Sequence, residues 1–222
     1  MKTFDTRWEE VHQEREWGKY PSEEVVRFVA RNFYNSNRKE MKILDIGCGI
    51  GAITWYLSRE NFDVYAYDGS GTAVKKAKDC LEKEGLKAEI IVADACNTPY
   101  ESNYFDAIID SGLIVCNDTK GILCILNECN RVLKTNGKIF STALVKKGMS
   151  GYGTGEKIDE NTYRNITEGS VAQIGTVHFF DEAQIIEYWT KAGFRSINID
   201  SLERTDYGGR IKTAHFMVEA EK

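Results

Sequence analysis

The decapeptide Ile43-Leu44-Asp45-Ile46-Gly47-Cys48-Gly49-Ile50-Gly51-Ala52 constrains this chain more than any other segment. A short apolar run ends beside an acid, three glycines alternate with other residues, and a helix-compatible run follows at once. Glycine lets a backbone take positive φ and come close to a ligand. A helix starting there presents unpaired N–H groups to a polar or anionic group. Sixteen residues beyond Ala52, a second apolar run (Asp63 to Tyr67) is followed by Asp68. A carboxylate at that place can accept two hydrogen bonds from a ribose diol. The combination implies a ribose-containing ligand lying across the carboxyl ends of strands.

The rest of the chain repeats the strand–helix rhythm. Pro21 to Phe33 places Val25, Phe28, Val29 and Phe33 on one helical face. Met41–Ile46, Asp63–Tyr67, Ala88–Ala93, Phe105–Ile109 and Lys138–Ala143 read as short buried strands. Ala52–Arg59, Thr72–Glu84 and Ile122–Leu133 read as helices, with Gly85 stopping the second and Gly137 turning the third into its strand. Such alternation predicts an α/β, doubly wound, mostly parallel sheet covered on both faces. After Ala143 the rhythm breaks. A glycine-rich stretch to His178 reads as an irregular lid, spanning 144–180. Asp181–Ala192 is a helix capped by Asp181, and Arg195–Leu202 with Ile211–Glu219 form a C-terminal antiparallel hairpin joined by 203–210. Residues 1–34 read as an N-terminal helical cap, and the whole of 1–222 as a single domain.

Composition narrows the class. With 29 Lys+Arg against 34 Asp+Glu, the net charge is -5, which argues against a general nucleic-acid binder. No apolar run is long enough for a membrane span, and Met1 to Glu16 lacks a secretory pattern. Six cysteines without a C-x-x-C pair, beside three histidines, read as free thiols in a cytoplasmic protein with no metal site.

Two cofactor readings fit the glycine turn. As G-x-G-x-x-A, Gly47, Gly49 and Ala52 match the dinucleotide fingerprint, with Asp68 as the ribose acid. That reading leaves Asp45 crowding a pyrophosphate. As D-x-G-x-G-x-G, Asp45, Gly47, Gly49 and Gly51 resemble the first motif of class I S-adenosylmethionine (SAM)-dependent methyltransferases. Asp94 in VADA, the segment Tyr104 to Ser111, the turn Arg131-Val132-Leu133-Lys134-Thr135-Asn136-Gly137-Lys138 and Ala192-Gly193-Phe194 are similar to later parts of that family in the same order. Thr135-Asn136 depart from the family's Pro-Gly. The resemblance covers roughly residues 20 to 220.

The resemblance implies a Rossmann-like seven-stranded sheet, six strands parallel and one antiparallel, with SAM at the switch point. Carried over by residue, Asp45, Gly47, Gly49 and Gly51 line the methionine and ribose side, with Cys48 inside the turn. Asp68 holds the ribose hydroxyls. Gly69 and Ser70 flank the adenine, and Asp94 and Ala95 meet its edge. Ser111 and Gly112 sit nearest the sulfonium methyl. Tyr20 would bond the cofactor's carboxylate from an aromatic cap that includes Trp8 and Trp17.

Methyl transfer is an in-line displacement that needs positioning above all. A base is required only where the acceptor must lose a proton. His178, at the end of the lid, is the candidate base, with Tyr152, Tyr163 and Arg164 as further lid contacts. His12 reads as a surface helix residue, His215 as packing or edge, and Asp110 as a turn carboxylate or a substrate contact. The expectation is a cytoplasmic enzyme that methylates an oxygen or nitrogen of a small-molecule acceptor, with no nucleic-acid or membrane partner and a possible homodimer. Two alternatives stand beside it. One is a nicotinamide-dependent oxidoreductase, although no Tyr-x-x-x-Lys pair is present. The other is a non-catalytic SAM-binding protein.

Overall fold

Apolar residues of the strands alternate between two cores, and that alternation defines the layers. The computed structural model describes residues 3–222. In strand β1 (Lys42–Ile46), Leu44 and Ile46 join one core while Ile43 joins the other. Strand β4 (Phe105–Ser111) does the same, with Phe105 and Ile108 opposite Ala107 and Ile109. A period of two in side-chain direction requires this once both faces are covered.

The elements follow in chain order. Helix α1 (Arg7–Glu14) and helix α2 (Glu23–Phe33) precede β1. Then come α3 (Ala52–Arg59), strand β2 (Asp63–Asp68), α4 (Gly71–Glu82), strand β3 (Glu89–Val92) and β4. Helix α5 (Thr119–Val132) leads directly into strand β5 (Leu133–Val145). The lid carries short strands β6 (Glu156–Lys157), β7 (Thr162–Arg164) and β8 (Val177–His178). Helix α6 (Glu182–Lys191) and strands β9 (Arg195–Asp206) and β10 (Ile211–Glu221) close the chain.

The main sheet has the order β3-β2-β1-β4-β5-β10-β9. Strands β1 to β5 pair in parallel, while β10 is antiparallel to both β5 and β9. Six strands therefore point one way and β10 the other, as the resemblance implied. The order reverses beside β1, which places a crevice at the carboxyl ends of β1, β2 and β4. Side-chain caps fix three helix starts there. Ser70 Oγ accepts from Ala73 N at 3.0 Å, Asp118 Oδ1 from Gly121 N at 2.8 Å and Asp181 Oδ1 from Gln184 N at 2.9 Å. Such caps contribute about 1 kcal/mol each. On the other side of the sheet the face of α2 packs inward, and Phe28 stacks on Phe140 with ring centroids 4.7 Å apart.

Several expectations need correction. The turn proposed at Gly137 is a bulge within β5: Phe105 pairs with Leu133, and the register resumes at Ala107 with Lys138. The hairpin is longer than expected, because Glu203, Arg204 and Thr205 continue to pair with Ala214, Thr213 and Lys212. The lid is not irregular throughout. Its three strands form an antiparallel sheet, and Tyr152, Tyr163 and Phe179 meet edge-on at 5.3–5.9 Å. Nor are all six cysteines free. Cys96 and Cys124 are joined, with Cα atoms 5.5 Å apart, tying the segment after β3 to α5. They are 28 residues apart in sequence, so only the packing of α5 against that segment brings them together. Among the described residues, no helix is long and apolar enough to cross a membrane.

Candidate active site

A cavity of about 660 Å³ opens at the carboxyl ends of the central strands. Its floor is the turn between β1 and α3. Gly47, Gly49 and Gly51 all have positive φ, at 63°, 52° and 91°. Gly47 is required by close approach, since a Cβ there would lie 2.7 Å from Leu113 Cβ. Gly51 has a different reason: a Cβ would lie 2.9 Å from Ala77 Cβ, so this glycine lets α3 pack on α4 and does not face the cavity.

Two acids lie at strand ends on the wall. Asp45 is 1% exposed, and its Oδ2 accepts from Thr54 N at 3.0 Å and from Thr54 Oγ1 at 2.6 Å. It therefore caps the first turn of α3 as well as lining the site. Burial pushes its carboxyl up to about 7; the Thr54 bonds oppose this, and Asp68 and Asp110 add to it. Asp68 Oδ2 accepts from Gly49 N at 2.9 Å, and Oδ1 from Ser70 N at 2.8 Å. Burial raises its carboxyl too, against those two bonds and the nearby His12.

The structure brings Asp45, Gly47, Cys48, Gly49, Asp68, Gly69, Ser111 and Tyr20 onto one wall. Gly51, Ser70, Asp94 and Ala95 lie off it. Ser70 is the cap of α4, and Ala95 is buried in the core. Asp94 is engaged by the chain itself: Thr3 N donates to Oδ2 at 2.8 Å, while Thr3 Oγ1 and Cys96 N each donate to Oδ1 at 3.0 Å. Burial acts to raise the Asp94 carboxyl, yet these bonds together hold it below its ordinary value. Tyr20 is 73% exposed at the rim, edge-on to Trp55 at 5.4 Å. Asp110 is a turn carboxylate, with Oδ1 accepting from Leu113 N at 2.9 Å and Ile114 N at 3.3 Å.

The three histidines exchange roles relative to the sequence reading. His178 is buried in the lid, its Nδ1 sharing a hydrogen bond with Thr162 Oγ1 at 2.8 Å, and it is not on the cavity wall. Its side chain points into packing because β8 pairs with β7 at that residue. His12, expected at the surface, is 6% exposed and lies over the glycine turn, with Trp8 and Trp17 rings 5.7 and 6.2 Å away. Helix α1 rests on α4 through Glu9 to Thr72 and through Lys76 Nζ, which donates to His12 O at 2.5 Å. The signal was present: Trp8, Val11 and His12 share one face at i, i+3 and i+4. His215, expected as a packing or edge residue, is half-buried on the wall; burial lowers its imidazole pKa, against the nearby Glu24.

The far wall was not foreseen. It comprises Ala143 and Val145 of β5, Met149, Val171 and Ile174 of the lid, and Ala214 of β10. Ala143 has φ 59°, where β5 carries an extra residue opposite Met217. Bulges re-aim side chains beside sites in this way.

Residues 43–137 match the family model described as "Methyltransferase domain". A tRNA N(3)-cytidine methyltransferase from Gallus gallus is 25% identical over 175 residues, 74% of this chain and 45% of the relative. The chloroplastic tocopherol O-methyltransferase of Arabidopsis thaliana is 29% identical over 133 residues, 58% of this chain and 37% of the relative. The chain thus spans less than half the length of these curated relatives. A SAM-dependent methyltransferase structure from Methanosarcina mazei superimposes with a TM-score of 0.70 at 23% identity, covering 87% of this chain and 96% of that one. The sheet order and the helices on both faces define a Rossmann-like fold. More particularly, residues 43–137 are similar to a methyltransferase domain, and the fold is that of the SAM-dependent methyltransferase structure from Methanosarcina mazei. The donor set would suit S-adenosyl-L-methionine: Asp45 would face its ammonium group, Asp68 retains acceptor capacity for a diol, and the glycine backbone would leave room for both.

Proposed function

We propose that this protein transfers the methyl group of SAM to an oxygen or nitrogen of a small, largely apolar acceptor. The observation that carries the reading is the two-ended cavity. One end holds Asp45, Asp68 and the glycine turn; the other is walled by Val145, Met149, Val171 and Ile174. The cofactor supplies an electrophilic methyl on a sulfonium, which is already a good leaving group. The chain's task is then to hold the acceptor in line and exclude water. Asp45 and Asp68 bind and orient the two polar ends of the cofactor. The apolar wall orients the acceptor and keeps bulk water out.

Charge argues against a polyanionic acceptor. The net charge is -5, and Arg15 is the one Arg or Lys on the described wall. Proteins that hold nucleic acid rely on clustered Lys and Arg to neutralise phosphates. The nicotinamide alternative meets the same obstacle as in the sequence: buried Asp45 borders the turn where a pyrophosphate would lie.

His215 is our candidate for the group that takes the acceptor's proton. Burial lowers its imidazole pKa, which favours the neutral form that can accept a proton. The test begins with parallel calorimetric titration by SAM, S-adenosylhomocysteine and NAD, followed by an acceptor screen read as formation of S-adenosylhomocysteine. Binding of NAD alone sinks the reading. Asp68→Ala should weaken S-adenosylhomocysteine at least about tenfold, the value of one or more charge-assisted hydrogen bonds. His215→Phe should lower kcat with that affinity unchanged; wild-type turnover would remove His215 from the reaction.

A further inference from the structure

Thr3 and Phe4 lie where the family resemblance puts the purine. Thr3 directs two donors at Asp94, N to Oδ2 at 2.8 Å and Oγ1 to Oδ1 at 3.0 Å. The Phe4 ring lies against Gly69, directly after β2. A Cβ on Gly69 would fall 2.1 Å from Phe4 Cδ2 and 2.5 Å from Cγ, so only glycine admits the ring there. Both Thr3 and Phe4 border the cavity.

The chemistry of this pair is that of the group it displaces. Adenine offers an aromatic ring and N–H donors for a carboxylate. Phe4 offers the ring, and Thr3 the donors. From this match we propose that Thr3-Phe4 is an internal stand-in for the cofactor's adenine: it closes the adenine subsite of the free protein, and the cofactor must displace it to bind. This rests on the SAM reading of the site. The pivot is Asp5. Its Oδ1 accepts from Arg7 N at 3.0 Å, and its O accepts from Trp8 N at 3.0 Å, which fixes the chain to the start of α1. Residues before Asp5 can leave Asp94 and Gly69 while α1 stays on α4.

A self-occupied subsite lowers apparent affinity by the fraction of molecules in which it is open. Removing the segment must therefore tighten binding. The experiment titrates three chains with S-adenosylhomocysteine: the full chain, Phe4→Ser, and a chain lacking residues 2–4. A melting curve on each shows that it folds. Thr3→Pro, which removes both the backbone and the hydroxyl donor to Asp94, replaces the deletion if that chain does not fold. The expected result is about five- to thirtyfold tighter binding, the range that one or two net hydrogen bonds represent. In parallel, the Thr3 amide of the full chain should lose hydrogen-exchange protection when the ligand is added. Unchanged affinity overturns the proposal, because the segment then does not compete. Weaker binding also overturns it, because Phe4 would then be part of the ligand's wall. If none of the chains binds S-adenosylhomocysteine, the SAM reading itself falls, and the stand-in falls with it.

Discussion

Asp45 holds α3 in place and lines the cofactor cavity, and these two duties conflict at neutral pH. Its carboxyl is raised from the usual carboxylate range to about 7, chiefly by burial. A folded-state value above the unfolded one means that the folded protein holds the proton more tightly. The associated stability is complete below about pH 4 and is lost as pH rises through about 7. Asn in its place keeps an oxygen for the two Thr54 donors but carries no charge. Asp45→Asn should match wild type in thermal melts at pH 4 and exceed it at pH 8.5 by on the order of 4 kcal/mol. Parallel pH profiles for the two proteins would show that Asp45 stays ionised. At this scale the sequence was most informative where chemistry is local. Asp45, Gly47, Gly49 and Asp68 lie within one strand–turn–helix unit and the strand beside it, so their spacing already places them on one wall. His12, His215 and Thr3 reach the site from elements remote in sequence, and no local pattern encodes that arrival.

β5 shows how an element can be recognised while its detail is hidden. The apolar alternation around Ile139 to Leu144 marks a strand, and the structure has one. Its early start at Leu133 comes from pairing with Phe105, and its inner bulge from the register of β10, both non-local facts. The lid strands were missed for the same reason: two- and three-residue strands carry no period of their own. The bulge has a cost that can be measured. Ala143 sits at φ 59°, a region that costs an L-residue about 1–2 kcal/mol and is worst for β-branched side chains. Ala143→Val should lower stability by about 2 kcal/mol or more, whereas Ala143→Gly should stay within about 0.5 kcal/mol, relief of strain offsetting glycine's entropy. Equal melting temperatures for the two variants would show that the backbone there relaxes into an ordinary strand.

Three bodies enclose the cavity, and they are not held equally. The lid is stitched to the main sheet: Lys146 N donates to Ala214 O at 2.9 Å, Lys147 N to Phe180 O at 2.8 Å and Phe180 N to Val145 O at 2.7 Å. Val177, Phe179 and Phe180 are fully buried in the larger core. Opening at the lid would expose these side chains, each of which contributes roughly 1.5–3 kcal/mol by burial. The N-terminal body is held by much less. Helix α1 has eight residues, buries only Val11 and His12, and meets α4 mainly through polar contacts. A short helix with so little apolar burial opens at low free energy. Ligand exchange is therefore expected at α1 and not at the lid, although the glycine-rich lid looked the more mobile in sequence. Hydrogen exchange separates the two routes. Without ligand, amides of residues 7–14 should exchange far faster than those of 177–180, and S-adenosylhomocysteine should slow the former while leaving the latter unchanged. Faster exchange at 177–180 than in α1 would move the door to the lid.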